Sequence, residues 1–381
     1  MKKFNRLSVV AAAGSLVITS ALTVSMPSAN ALDCTGTVAI MAPLTGPVAA
    51  IGVEQANFAK LAVADYNEKN GTTFKTKDYD TQLDAAQAST QAPNVISDKT
   101  TIGVVGPAGS QEVLVVGGIF GNAQLAVVSS SATRPNLTAG TYPSFFRVVP
   151  NDSQQGPGDA NYMVKKLKAK EIVVIEEKTA YGTGLSTEVM ATLKKLNVKA
   201  TKISVNEKGA DYASVVTRVS KTADFVFVTF QDAAKSENVA QELIKQKKKA
   251  VVFGSDGSDQ KTFKTPGTYV SAFAADVREF AVAKAVVNGY LSTYKAELKD
   301  ITTFGPPAYV AAQVIVEAAG RVCKAGKAAD AEGLTLAEVK KTKIAKTILG
   351  APLVFTPTGD VKGASFYIFK TQKDGTRKLV G

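Results

Sequence analysis

Side chains that could hold or attack a small molecule stand directly after several apolar segments of the chain. Three serines, Ser129–Ser131, follow one such segment, and Thr133 comes two residues later. Ser110, Tyr181 and Asp256 follow three others. Hydroxyl donors suit a carboxylate, and a carboxylate suits an ammonium group. Together with one aromatic face, the set suits a free α-amino acid as a ligand.

A hydrolytic role for these hydroxyls finds little support in the sequence. There is no histidine, so His-based triads are excluded, and there is no G-x-S-x-G motif. Ser258–Lys261 has the S-x-x-K spacing but lacks its companion motifs. We therefore expect no enzyme activity and no catalytic residues. A purely structural role stays open, because serines after a strand often form turns and Asp256 beside Gly257 suits one as well.

Cofactor and metal motifs are not found either. The glycines of "VVGPAG" and "YGTGL" form neither a dinucleotide fingerprint nor a P-loop. Without histidine, the common His-containing zinc sites are excluded. We expect neither a cofactor nor a metal.

The elements that must position these side chains alternate between apolar strands and helical patterns, which predicts an α/β fold with mostly parallel sheets. A helix is indicated where Ala59, Ala62, Val63 and Tyr66 share one stripe. Strands are expected at 38–41, 74–79, 102–105, 125–129, 172–175, 203–205, 225–229, 251–253 and 270–274. Parallel sheets bind ligands beyond the carboxyl ends of their strands, where the hydroxyls stand.

The composition changes at residues 145–160, which are rich in Pro, Gly, Asn and Gln and suggest a linker. The strand and helix pattern then restarts, and the last stretch, 353–371, predicts two further strands. Two α/β lobes are the natural interpretation.

The N-terminus is typical of an exported protein. Lys2, Lys3 and Arg6 precede the apolar run 7–26 and then Ala-Asn-Ala at 29–31, so residues 1–31 are predicted to be a signal peptide. An uncleaved membrane anchor is the alternative. The two cysteines, Cys34 and Cys323, favour a disulfide in an exported chain over two free thiols.

The net charge of +12 raises the question of an anionic partner. The densest cluster, Lys245 with 247–249, closes a predicted helix and has no aromatic residues among its lysines. We expect no nucleic-acid partner.

The ordered motifs resemble the leucine/isoleucine/valine-binding proteins, which are type I periplasmic binding proteins serving ABC importers. The resemblance runs from about Thr37 to Phe369 through "PLTGPVAAIG", "SSATRPNLT", "FFRVVPNDSQQGP", "YGTGL", "FGSDG" and "GDVKGASFYIF". It implies two lobes joined by three crossovers that form a hinge. Lobe 1 would comprise residues 32–150 and 277–356, and lobe 2 residues 151–276 and 357–381. Both cysteines would then lie in lobe 1.

The resemblance also implies roles for single residues. Ser110 and Thr133 would donate to the ligand carboxylate, and Ser131 would offer its carbonyl to the ammonium group, with Ala132 lining the pocket. Asp256 would face the ammonium group, and Tyr181 would close over the ligand from lobe 2.

The side-chain pocket departs from the family pattern. Ile51 stands where the family has an aromatic residue, and Gln231 or Asp232 where it often has tyrosine. Leucine, isoleucine and valine are the expected ligands, followed by other neutral amino acids, with a membrane permease as partner and a monomeric, periplasmic or cell-surface protein. A same-fold receptor for a small amide or urea, or a ligand-sensing domain, remains an alternative.

Overall fold

The structure is a computed structural model that describes residues 34–208, 211–329 and 333–381. The predicted signal peptide lies outside these residues. Fourteen strands are described: β1 Thr35–Ala42, β2 Thr73–Asp80, β3 Thr101–Val105, β4 Val127–Ser129, β5 Phe145–Arg147, β6 Glu171–Glu177, β7 Lys199–Val205, β8 Phe225–Val228, β9 Val251–Gly254, β10 Tyr269–Ala272, β11 Lys343–Ile344, β12 Leu353–Val354, β13 Tyr367–Thr371 and β14 Arg377–Leu379.

Ten α-helices accompany these strands in the described residues. They are α1 Ala49–Asn70, α2 Ala85–Ser97, α3 Ser110–Asn122, α4 Asp152–Asn161, α5 Ala180–Lys195, α6 Tyr212–Thr217, α7 Ala233–Lys245, α8 Lys284–Tyr294, α9 Gly305–Lys324 and α10 Leu334–Val339. Among these helices, none is both long enough and apolar enough to cross a membrane.

Lobe 1 is built on a parallel five-stranded sheet in the order β2-β1-β3-β4-β5. Its strands β3 and β4 are buried throughout because helices cover both faces, which is why they are rich in valine and isoleucine. On one face α1 packs along α9, and the ring of Phe58 stacks on Tyr290 of α8 with centroids 4.1 Å apart. Pro306 and Pro307 begin α9 at positions that need no backbone N–H donor.

Lobe 2 is built on a seven-stranded sheet in the order β14-β13-β10-β9-β8-β6-β7. Strands β6 to β10 run parallel, and β13 and β14 are antiparallel at one edge. Helices α5, α6 and α7 connect β6 to β9, as the crossover connections of parallel βαβ units require. The fold class is therefore α/β with two lobes, as predicted.

The chain passes between the two sheets three times: from β5 to β6, from β10 to α8 and α9, and from β12 to β13. The first and third passages are tied together by Arg147, which is fully buried and donates from Nε to Asp360 Oδ1 at 2.6 Å. The residue boundaries of the lobes stay a prediction.

The segment expected to be a linker is partly regular structure. Residues 145–147 form β5, and 152–161 form α4 despite Pro157. The Asn151 side chain accepts from Ser153 N and caps the helix, which offsets the poor helix propensity of its glycines. Turn-forming composition alone was thus misleading here.

The disulfide is confirmed. Cys34 and Cys323 are bonded, with their Cα atoms 5.6 Å apart. The bond joins the residue before β1 to the last turn of α9, both in lobe 1. The two cysteines are 289 residues apart in the sequence.

Candidate functional site

A small cavity lies between the carboxyl ends of the two sheets. Its volume is about 30 Å³, and residues of both lobes line it. The lining residues are Pro43, Val48, Ile51, Leu83, Ala108, Ser131 and Phe304 from lobe 1, and Tyr181, Gln231, Asp256 and Gly257 from lobe 2. Five residues singled out in the sequence are therefore brought together here: Ile51, Ser131, Tyr181, Gln231 and Asp256.

Asp256 and Tyr181 form the polar wall from lobe 2. Asp256 follows β9, and Tyr181 stands in the first turn of α5, whose N-cap Thr179 accepts from Gly182 N. The Tyr181 hydroxyl donates to Asp256 Oδ1 at 2.5 Å, and both side chains are buried. Burial raises the pKa of Asp256 to about 6, although the Tyr181 hydrogen bond opposes the rise. At neutral pH this carboxylate is ionised and faces the cavity.

The serines after β4 form the facing wall from lobe 1. Ser131 Oγ donates to Ala108 O at 2.8 Å and accepts from Gln55 Nε2 at 2.9 Å. The same amide group donates to Ser130 Oγ at 3.1 Å. Ser129 Oγ donates to Pro107 O at 2.7 Å. The serine segment is thus held to the loop before α3, and Gln55, which the sequence did not single out, orients it.

Four predicted site residues do not line the cavity. Ser110 Oγ accepts from Arg134 N at 3.2 Å, so it holds the chain that follows the three serines to the start of α3. Ala132 is buried, and its carbonyl accepts from Arg147 Nη1. Thr133 is fully buried, with no hydrogen-bond partner for its hydroxyl. Asp232 caps α7 by accepting from Ala234 N at 2.9 Å, which is a structural role.

Asp152 is an acidic residue near the site that no sequence motif distinguishes. It is fully buried, and the Thr133 hydroxyl lies close enough to its carboxyl group to favour the ionised form. Burial, reinforced by the charge of Asp256, raises its pKa to about 8. Burial also raises the pKa of Tyr181 well above the usual range, with the charges of Asp256 and Asp152 adding to the rise. Asp152 begins α4, a segment whose composition predicts a linker, and for this reason it was not recognised as a candidate site residue.

The cavity is closed by contacts that join the two lobes. Arg134 Nη1 donates to Ala180 O at 2.5 Å, and Gln111 Nε2 donates to Gln231 Oε1 at 3.1 Å. On another side Thr303 Oγ1 donates to Asp259 Oδ2 at 2.7 Å. These contacts must break when the lobes separate, so the described arrangement is a closed form.

The remaining wall is apolar and comes from lobe 1. It consists of Pro43, Val48, Ile51, Leu83 and Phe304, all in the cavity lining. An aliphatic body fits such a wall because it removes apolar surface from water. Within the described residues, no cluster of three acidic or cysteine side chains is placed to hold a metal ion.

Two lobes that enclose a carboxylate, hydroxyls and an apolar wall define a protein that closes around a small ligand. Residues 35–376 match the family model described as periplasmic binding protein, and the chain belongs to that family.

Several proteins of known name are similar to this chain. The leucine-, isoleucine-, valine-, threonine- and alanine-binding protein of Pseudomonas aeruginosa is 28% identical over 360 residues, which cover 90% of this chain and 91% of that protein. A leucine-binding protein of Thermotoga maritima superposes with a TM-score of 0.80 at 19% identity, covering 91% and 98% of the two chains. The branched-chain amino acid transporter substrate-binding protein of Streptococcus pneumoniae, solved with isoleucine, superposes at 0.79 and 22% identity, covering 91% and 99%. These two structures are alike in fold.

Proposed function

We propose that this protein binds a free branched-chain amino acid in the cleft between its lobes and delivers it to the permease of an ABC importer. The observation that carries the proposal is the pair of opposite walls: the ionised Asp256 on lobe 2 and the serine and apolar surface of lobe 1. The name of the Pseudomonas aeruginosa relative supports leucine, isoleucine and valine as ligands.

The two charges of a zwitterion would be met separately. Asp256 would accept from the ammonium group, and Tyr181 holds the carboxylate of Asp256 in place. Ser110 and Thr133 would donate to the ligand carboxylate; neither lines the cavity of the closed form, so this role requires a wider cleft in the complex. Hydrogen bonds to charged groups contribute about 1.5–3 kcal/mol each, so a few give an affinity near ~1 μM after ordering costs.

The proposed setting is outside the cytoplasm. Family membership agrees with an exported protein, and the disulfide agrees with an oxidising compartment. We propose that the protein acts as a monomer whose closed form is recognised by the permease, because closure brings both lobes into one fixed arrangement.

One observation favours a smaller ligand, the amide or urea alternative. The cavity of about 30 Å³ has room for roughly one water molecule, which is less than a leucine side chain. Each of these ligands therefore requires the lobes to close less tightly than described, and a small amide requires a smaller opening than a branched-chain amino acid does.

Thermal unfolding against a ligand panel distinguishes these functions. A ligand that binds the folded state raises the unfolding midpoint in proportion to RT ln(1 + [L]/Kd). The panel contains the common amino acids, urea and short amides. We expect the midpoint to rise with leucine, isoleucine or valine; a rise with an amide alone would retain the fold and overturn the amino-acid ligand.

A further inference from the structure

The net positive charge of the protein is concentrated at one end of lobe 2. Four segments, 162–171, 194–199, 218–224 and 242–249, contain thirteen lysine and arginine residues and three acidic residues, a net charge of +10. The rest of residues 34–381 contains 29 basic and 29 acidic residues. All the net charge of this part of the chain therefore comes from these four segments, which we name the basic end.

The topology explains why segments so far apart in sequence meet. They lead into β6, β7, β8 and β9, which are parallel neighbours in the order β9-β8-β6-β7. The amino ends of parallel neighbours lie at one edge of a sheet, and the carboxyl ends, which carry Tyr181 and Asp256, lie at the opposite edge. The basic end is therefore remote from the ligand cleft.

Side-chain contacts confirm that the four segments adjoin. Asp224 accepts from Lys170 N at 2.7 Å and pairs with Lys249 at 2.9 Å. Glu171 pairs with Lys199 at 3.0 Å, and Lys248 Nζ donates to Val219 O at 2.6 Å.

The acidic residues of the basic end are each occupied by one cation. Asp224 and Glu171 pair as above, and Glu242 pairs with Lys245 at 2.9 Å. Ten positive charges remain, and nearly all of their side chains are exposed. Mutual repulsion within such a cluster is relieved by a polyanion, which also releases its own counterions.

The side chains of the basic end favour an extended anionic polymer. Twelve of the thirteen cations are lysines, which attract phosphate as point charges without the fixed geometry of arginine. Tyr162 is its sole aromatic residue, so stacking of nucleic-acid bases is poorly served. Among the described large apolar side chains of this end, Ile244 alone is exposed, so the basic end is poorly suited to inserting apolar side chains into a membrane.

We propose that the basic end docks the protein on a linear, phosphate-bearing polymer outside the cytoplasm. The cleft at the opposite edge of the sheet stays free, so a docked molecule still exchanges its ligand. This interaction goes beyond ligand binding and does not depend on which ligand the cleft accepts.

Two variants with the same change of total charge test the proposal. The basic-end variant carries Lys165→Gln, Lys166→Gln, Lys194→Gln and Lys195→Gln, and the control carries Lys284→Gln, Lys327→Gln, Lys346→Gln and Lys362→Gln, all of which lie outside the basic end. All eight lysines are exposed, so both variants should keep the unfolding midpoint of the parent protein. At 0.1 M salt, charges farther apart than a Debye length of about 10 Å are largely screened. Lysines removed outside the basic end should therefore have little effect on a polyanion bound there.

Binding is measured against linear inorganic polyphosphate and against phosphatidylglycerol–phosphatidylcholine vesicles at equal accessible phosphate. We expect the parent protein to bind polyphosphate in a salt-dependent way, the basic-end variant to bind at least tenfold more weakly, and the control within threefold of the parent. Absence of binding, or equal weakening in both variants, would refute the docking surface. Vesicle binding as strong as polyphosphate binding would refute the polymer as its partner.

Discussion

At the scale of single residues, the site depends on one buried acid whose charge is kept at neutral pH. Asp256 lies in a position that disfavours ionisation, and the hydroxyl of Tyr181 partly compensates. A ligand ammonium group would supply the missing countercharge. The acid is therefore better paired in the complex than without ligand, which links binding to its protonation state.

Replacing Asp256 by asparagine should weaken leucine binding at least tenfold, which corresponds to about 1.4 kcal/mol or more. The amide keeps the size of the side chain but removes the charge that faces the ammonium group. Asp232→Asn is the matched control, because Asp232 caps α7 outside the cavity and asparagine caps helices equally well. Calorimetric titration of both variants measures the effect; equal affinities would contradict the assigned role of Asp256.

Affinity for the amino acid should fall as the pH drops below about 6. The pKa of Asp256 is raised to about 6, and a protonated Asp256 carries no charge for the ammonium group. The α-ammonium group of the ligand stays protonated over this range, so its own titration does not contribute. Titrations between pH 5 and pH 8 measure the change. Affinity that is constant down to pH 5 would show that the ionised acid is not required.

The sequence predicted part of this site. Ser131, Tyr181 and Asp256 could be found because each stands just past a strand. Asp152 and Gln55 could not, because one was masked by a turn-like composition and the other lies inside a helix with no distinguishing motif. Asp232 was predicted as a possible site residue but caps α7 instead, because aspartate suits both helix capping and ligand binding.

At the scale of elements, the first strand–helix loop is held against the cavity by a close approach. Gly52 of α1 lies so near the loop that a Cβ atom there would stand 2.1 Å from Pro43 O. Pro43, Val48 and Ile51 all line the cavity, so α1 positions this part of the apolar wall.

Gly52→Ala should reduce leucine affinity, because the added methyl group must push the Pro43 loop aside. Gly118→Ala in α3 is the control: its Cβ meets no atom within 4 Å, and alanine favours a helix by roughly 0.5–1 kcal/mol over glycine. We expect the control to keep its affinity and gain stability. Titration and thermal unfolding measure both; unchanged affinity in Gly52→Ala would contradict the role of this contact.

Removing the disulfide should destabilise lobe 1 without altering the ligand-binding residues. The paired variant Cys34→Ser/Cys323→Ser loses a cross-link over 289 residues, and the loss of a native disulfide typically costs about 2–5 kcal/mol. Denaturant unfolding with and without leucine measures the cost. An unfolding free energy equal to that of the parent would show that the bond contributes nothing to stability.

Most elements could be predicted, because most strands contain short apolar runs and α1 is rich in apolar residues that are buried. Helix α4 and strand β11 could not. The first has glycine and proline in its interior, and the second is a strand of two residues that depends on its tertiary pairing with β12.

At the scale of the whole molecule, two sheets offer their carboxyl ends to one cleft, and the three passages between them allow the lobes to move. The contacts Arg134–Ala180, Gln111–Gln231 and Thr303–Asp259 are made in the closed form. A ligand stabilises closure when it interacts more strongly with the closed form than with the open form. A carboxylate on lobe 2 and hydroxyl groups on lobe 1 would satisfy this condition for a zwitterion, whose two charged groups need partners from both lobes.

The most direct measurement is calorimetric titration of the purified protein with leucine, leucinamide and 4-methylpentanoate. The three compounds share one aliphatic side chain and differ in their charged groups. We predict that leucine binds with micromolar affinity and that each analogue, lacking the carboxylate or the ammonium group, binds at least tenfold more weakly. Absence of leucine binding, or equal binding of all three compounds, would show that the cleft is not built for a zwitterion.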